Sequence, residues 1–116
     1  MTSKPLGNYL RMHRRRSGLS QDEVAFLLGA MYGTTVSRHE HDWRTPKLGT
    51  AFAYALIFGT PARNLYPKEY ERIEKIVKTR ARKMMVRMKY QPDDARRARK
   101  IALLERILRS RNTGAK

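Results

Sequence analysis

A chain of 116 residues carries twenty-six Lys and Arg against ten Asp and Glu, a net charge of +16, and such a field favours polyanions: DNA, RNA or an acidic membrane surface. The length suits one compact domain, or one small domain with an extension. The lack of cysteine excludes a disulfide framework and a thiolate metal site. No apolar run approaches the ~20 residues needed to span a bilayer and the amino terminus lacks the apolar core of a signal peptide, so we expect a soluble, intracellular protein.

Residues 1–5 are short, polar and closed by Pro5, and we expect no fixed structure there. From residue 6 to residue 17, Leu6, Tyr9, Leu10 and His13 form an apolar helical stripe. Arg11, Arg14, Arg15 and Arg16 crowd its last turns, where the helix dipole favours cations. Gly18 ends this helix. Ser20 followed by Glu23 is a capping box that opens a second one; Val24, Ala25, Leu27 and Leu28 have the spacing of a buried stripe, and Gly29 stops it. A loop to Gly33 leads into a third helix. At 100° per residue, Val36 and Glu40 share one side, Thr34 and Arg38 point the opposite way, and Thr35 and Ser37 flank them. Such a face suits major-groove reading, because Arg offers a planar fork to guanine's two acceptors, while Thr and Ser offer hydroxyls or a methyl to the other bases. The alternative is a merely solvated face.

The loop of Trp43, Arg44, Thr45 and Pro46 follows, and Arg44 and Lys47 sit where they can hold phosphates beside a groove. Residues 48–58 are apolar almost all round, so this helix should be buried on more than one side. Leu48, Ala51, Ala55 and Phe58 are expected to face the first helices, leaving Phe52, Leu56 and Ile57 to be covered by something else. Gly59 caps it, and Thr60-Pro61 starts a short fifth helix that ends before Pro67.

These segments, LGNYLRMHRRRSGLSQDEVAFLLG, TVSRHE and RTPKLGTAFAYALIFGTPARNLY, resemble the helix-turn-helix domain of the lambda-repressor-like, or XRE, family of bacterial and phage regulators. The resemblance covers about residues 6–66. It implies an all-α, five-helix DNA-binding domain over residues 1–66. It implies that Arg14 pairs with Glu40 and fastens the first helix to the reading helix, that Gln21 holds a phosphate, and that Thr34, Thr35, Ser37 and Arg38 face base edges. The chain departs from the family pattern in two places. The turn of Ala30, Met31, Tyr32 and Gly33 is about one residue longer, and a glycine common after the reading helix is missing from His41-Asp42-Trp43. We expect Trp43 to pack on the core edge rather than lie on a sugar.

Residues 67–116 extend beyond that domain. Tyr70, Ile73, Ile76, Val77, Ala81, Met84, Met85 and Met88 form a helical stripe over residues 68–89. Residues 90–94 break it, and the acidic pair Asp93-Asp94 suits a new start. Residues 95–110 then carry Ala98, Ile101, Ala102, Leu104, Ile107 and Leu108, with a frayed tail over residues 112–116. The reading is a C-terminal helical hairpin that packs on the first domain and supplies a two-fold dimer, the methionines serving as adaptable interface. Seventeen Lys or Arg against six acids give residues 67–116 +11 of the total charge, a density that points to phosphate contact with flanking DNA or with RNA.

His39 and His41 lie two apart and point to different sides of a helix, so they do not share a metal ion. With no glycine-rich phosphate loop and no catalytic triad order, we expect no metal, no cofactor and no enzymatic activity. The expected function is a sequence-specific regulator that reads a double-stranded DNA operator, as a homodimer in the nucleoid, with no membrane partner. The alternatives are an RNA-binding or nonspecific nucleic-acid-binding protein, or an antitoxin-type interaction partner.

Overall fold

The computed structural model describes residues 7–110. The expectations for residues 1–5, for Leu6 and for the tail over residues 112–116 lie outside them. The described residues are all-helical: α1 (Leu10–Ser17), α2 (Gln21–Leu28), α3 (Gly33–Glu40), α4 (Leu48–Phe58), α5 (Ala62–Leu65), α6 (Pro67–Arg87), a 3-10 turn (Met88–Tyr90) and α7 (Ala95–Arg109). They divide into two compact units, one running to Glu69 and the other starting at Tyr70.

In the first unit α1 starts at Leu10, later than the apolar stripe suggests. The Asn8 side-chain oxygen accepts the Leu10 N–H at 3.0 Å, and the Tyr9 N–H is held by the Leu65 carbonyl at 2.8 Å, so the chain before Leu10 is drawn out of helical register. Gly18 and Gly29 end α1 and α2 in the left-handed conformation, at φ +80° and +78°, where a Cβ is unfavourable. Both arms of the capping box form. Glu23 N–H donates to Ser20 Oγ at 3.0 Å, and Ser20 N–H donates to Glu23 Oε1 at 2.8 Å.

The core of this unit is Leu10, Val24, Ala25, Val36, Tyr54 and Leu65. Two expected stripes need correction. On α2 the buried side is centred on Val24, Ala25 and Leu28, and Leu27 falls roughly 100° away from that centre; it is exposed, as is Phe26. On α4 the central residue is Tyr54, fully buried, whereas Leu48 is the first residue of the helix and lies exposed. Ala51, Ala55 and Phe58 are half-buried beside Tyr54, and Phe52 and Leu56 stay open to solvent.

In the second unit Ala81, Met88 and Leu104 form a small core, with Met85, Ile101, Ile107 and Leu108 packed against it. The Asp94 carboxylate caps α7 by accepting the Arg97 N–H at 2.9 Å. Tyr70, Ile73, Val77 and Met84, expected in the stripe of α6, are exposed, and so is Ala98 on α7. Apolar packing is concentrated in the part of α6 that faces α7.

Candidate nucleic-acid interface

A helix can present polar side chains reproducibly only if its other side is fixed, and α3 is fixed from several directions. Val36 and Glu40 lie on its inner side, each about 1% exposed. The Glu40 carboxylate accepts three hydrogen bonds: from Arg14 Nε at 2.6 Å, Arg14 Nη2 at 3.3 Å and Gln21 Nε2 at 3.1 Å. Arg14 also donates Nη1 to the Leu19 carbonyl at 3.2 Å. The buried charge of Glu40 is thereby paired and its oxygens occupied, the condition under which a carboxylate is tolerated inside a fold. The same atoms tie α1 and the start of α2 to the end of α3.

The front end of α3 is set by Gly33. Its N–H donates to Asp22 Oδ1 at 3.0 Å, and a Cβ at this position would fall 2.4 Å from that oxygen and 3.0 Å from the Asp22 backbone nitrogen. Only glycine lets the helix start this close to α2. The four-residue turn over residues 29–32 leaves Tyr32 exposed at its end.

Two features hold α3 that the sequence reading did not single out. His39, buried on the inner side, shares a hydrogen bond of 2.8 Å between its Nδ1 and the Tyr54 hydroxyl. Burial, and then the Arg44 guanidinium, lower the His39 pKa below its usual 6.5. Burial, then the neighbouring Tyr66 and Glu40, push the Tyr54 phenol above its ordinary range. Both therefore stay neutral at pH 7, and the imidazole tautomer sets which of the two donates. Beyond the helix, Asp42 adopts φ +60°, the left-handed conformation that glycine ordinarily supplies. Its carboxylate recovers the cost by accepting the Gly7 N–H at 2.5 Å and Asn8 Nδ2 at 2.6 Å. Asn8 Nδ2 also donates to the His39 carbonyl at 3.0 Å. The left-handed position after α3 is thus held by an aspartate whose side chain latches the chain ahead of α1.

The outward side carries Thr34 and Arg38, both exposed, flanked by the half-buried Thr35 and Ser37. Arg38 makes no ion pair among the described residues. Arg44 and Lys47 are exposed in the segment after α3. Gln21, expected to hold a phosphate, is half-buried and donates its side-chain amide to Glu40, which helps orient the carboxylate. Trp43 also departs from expectation. It is 74% exposed, its ring stacked on His41 with centroids 4.9 Å apart, because the left-handed turn at Asp42 swings it off the core and its N–H is held by the Arg38 carbonyl at 2.9 Å. His41 Nδ1 bonds the Ser37 carbonyl at 2.8 Å, so each of the two histidines has a ring nitrogen engaged within the fold.

Among the described residues no group of three His, Cys, Asp or Glu side chains could hold a metal ion, and no helix is long and apolar enough to cross a membrane. Comparison with protein-family models, curated proteins and solved structures finds no match for this chain.

Proposed function

We propose that this chain is a lambda-repressor-like, XRE-type regulator that binds a double-stranded DNA operator by laying α3 in the major groove. The observation that carries this reading is the two-sidedness of α3. Its inner side is locked by Val36, His39 and the Arg14–Glu40 pair, while its outer side offers Thr34, Arg38 and the flanking Thr35 and Ser37 to solvent without internal partners for the guanidinium. Arg38 supplies the fork for a guanine, and the threonine and serine groups supply hydroxyls and methyls for neighbouring base edges. Arg44 and Lys47, with the backbone N–H groups at the start of α2, hold phosphates and fix the register. The proposed activity is binding.

Phe52 and Leu56, exposed on α4, give apolar surface for pairing with a second copy, and a symmetric pair of such domains reads half-sites about one DNA turn apart. The test is selection of bound sequences from a random duplex pool with the purified full chain. A recurring motif, with two halves spaced by roughly a helical turn, is the expected result; a pool that stays random through successive rounds would overturn the reading.

A further inference from the structure

The second unit contains a cleft of about 440 Å³ lined by Arg80, Lys83, Met84, Arg87, Met88 and Gln91, within the size range of small-ligand pockets, roughly 300–1,000 Å³. Its chemistry is unusual for a merely solvated helix face. Arg80, Lys83 and Arg87 recur at three- and four-residue steps on one side of α6, so they stand roughly 4.5 and 6 Å apart along the axis. All three are exposed and make no ion pair among the described residues. Like charges at this spacing repel one another, and an anion placed between them removes that repulsion.

The floor beneath the cations is apolar. Met88 is buried in the small core and Met84 is half-open to the cleft, and thioether sulfurs pack favourably against aromatic rings. Gln91 accepts Lys100 Nζ at 3.1 Å on its amide oxygen, which leaves its amide N–H groups as donors. Tyr90, next to Gln91 in the chain, is 85% exposed.

We propose that this cleft binds single-stranded nucleic acid, with Arg80, Lys83 and Arg87 on successive phosphates, one base against Met84, and a neighbouring base stacked on Tyr90. A cationic track beside an aromatic platform is what an unpaired strand requires, because its bases are free to leave the solvent. A duplex keeps its bases stacked inside and would leave the methionine floor and the tyrosine without a partner. The site lies wholly in the second unit and is independent of the proposed role of α3.

The test uses the full chain and a fluorescent twelve-nucleotide oligouridylate, with affinity measured across a salt series. Arg80→Ala/Lys83→Ala/Arg87→Ala should weaken binding at least tenfold and flatten the salt slope by about 2, at roughly 0.7 per phosphate contact on a single strand. A control with the same loss of charge, Arg96→Ala/Arg99→Ala/Arg109→Ala, removes exposed cations outside the cleft and should weaken it less than about threefold. Tyr90→Ala should cost at least about fivefold and Tyr90→Phe should restore binding, since the ring rather than the hydroxyl does the stacking. Arg38→Ala should leave oligouridylate binding unchanged, so failure at α3 and failure at the cleft are separable. Equal losses in the two triple variants would show a diffuse charge field and overturn the proposal. So would indifference to Tyr90→Ala, or tighter binding to phosphatidylserine vesicles than to the oligonucleotide with the same dependence on the cleft cations. Unchanged far-UV circular dichroism confirms that each variant is folded.

Discussion

Replacing Glu40 by alanine removes the acceptor that Arg14 and Gln21 share, and its cost can be worked from the burial of the pair. Glu40 is 1% exposed and the Arg14 side chain 14% exposed. Deleting one member of a buried ion pair costs about 3–5 kcal/mol, because the other charge is left behind without compensation. Arg14 retains the Leu19 carbonyl and some contact with water, which places the expected loss at the lower end, about 3 kcal/mol. For a domain of this size each kcal/mol moves the melting midpoint by roughly 4–8 °C, so the fall should be roughly 12–24 °C. Trp43, the only tryptophan, lies in the first unit and reports its unfolding by fluorescence during thermal or urea melts of the full chain. The double variant Arg14→Met/Glu40→Leu should recover most of the loss, because apolar groups of similar size leave no charge stranded. A midpoint for Glu40→Ala within about 3 °C of the parent, or a double variant as weak as the two single losses summed, would refute the account of how α3 is anchored.

Further substitutions probe the supports of α3. Gly33→Ala should destabilise by about 1–3 kcal/mol through overpacking against Asp22, and Asp22→Ala should restore only part of it, since the Asp22 backbone nitrogen also crowds the new Cβ; urea titration of the pair measures both. At position 42 the order of stability should be Asp, then Asn, then Gly, then Ala: Asn keeps a side-chain acceptor and tolerates φ +60°, Gly keeps only the conformation, and Ala keeps neither, costing about 2–3 kcal/mol. Lowering the pH should weaken the first unit by way of His39. Its folded pKa is depressed below 6.5, so the unfolded chain takes up the proton first; the stabilisation is complete above pH 6.5 and is lost as the pH falls through the folded value. His13, lowered by burial and then by Arg16, acts in the same direction. Melting midpoints between pH 7.5 and 5 should therefore fall in the parent and fall less in His39→Gln; an equal slope in both would remove His39 from the explanation.

Local chemistry made the element ends readable. The Ser20–Glu23 box, the glycines at positions 18, 29 and 59, and Asp94 before α7 each satisfy or end a helix with atoms a few residues away, and the structure places all of them at helix boundaries. The division of α3 into inner Val36 and Glu40 and outer Thr34 and Arg38 also needed only the 100° repeat. What escaped was decided by partners far along the chain. In α4 nearly every residue is apolar, so periodicity carries no direction, and Tyr54 is singled out only by His39, fifteen residues earlier. The Asp42 latch joins residues thirty-four and thirty-five positions apart, and the lengths of the side chains involved are invisible until the helices are assembled. Trp43 departs from expectation for the same reason: its apolar ring argues for burial, but the left-handed turn at Asp42 directs it outward onto His41.

The central claim, that the outer side of α3 reads base edges, is tested most directly by comparing Arg38→Ala with the parent on two duplexes at one salt concentration: the sequence recovered by selection and a scrambled one of equal length. The account predicts a loss of about 1–3 kcal/mol on the selected duplex, relaxed preference at one base position, and little change on the scrambled one. An equal loss on both duplexes would reduce Arg38 to a phosphate contact, and no loss on either would contradict the placement of α3 in the groove.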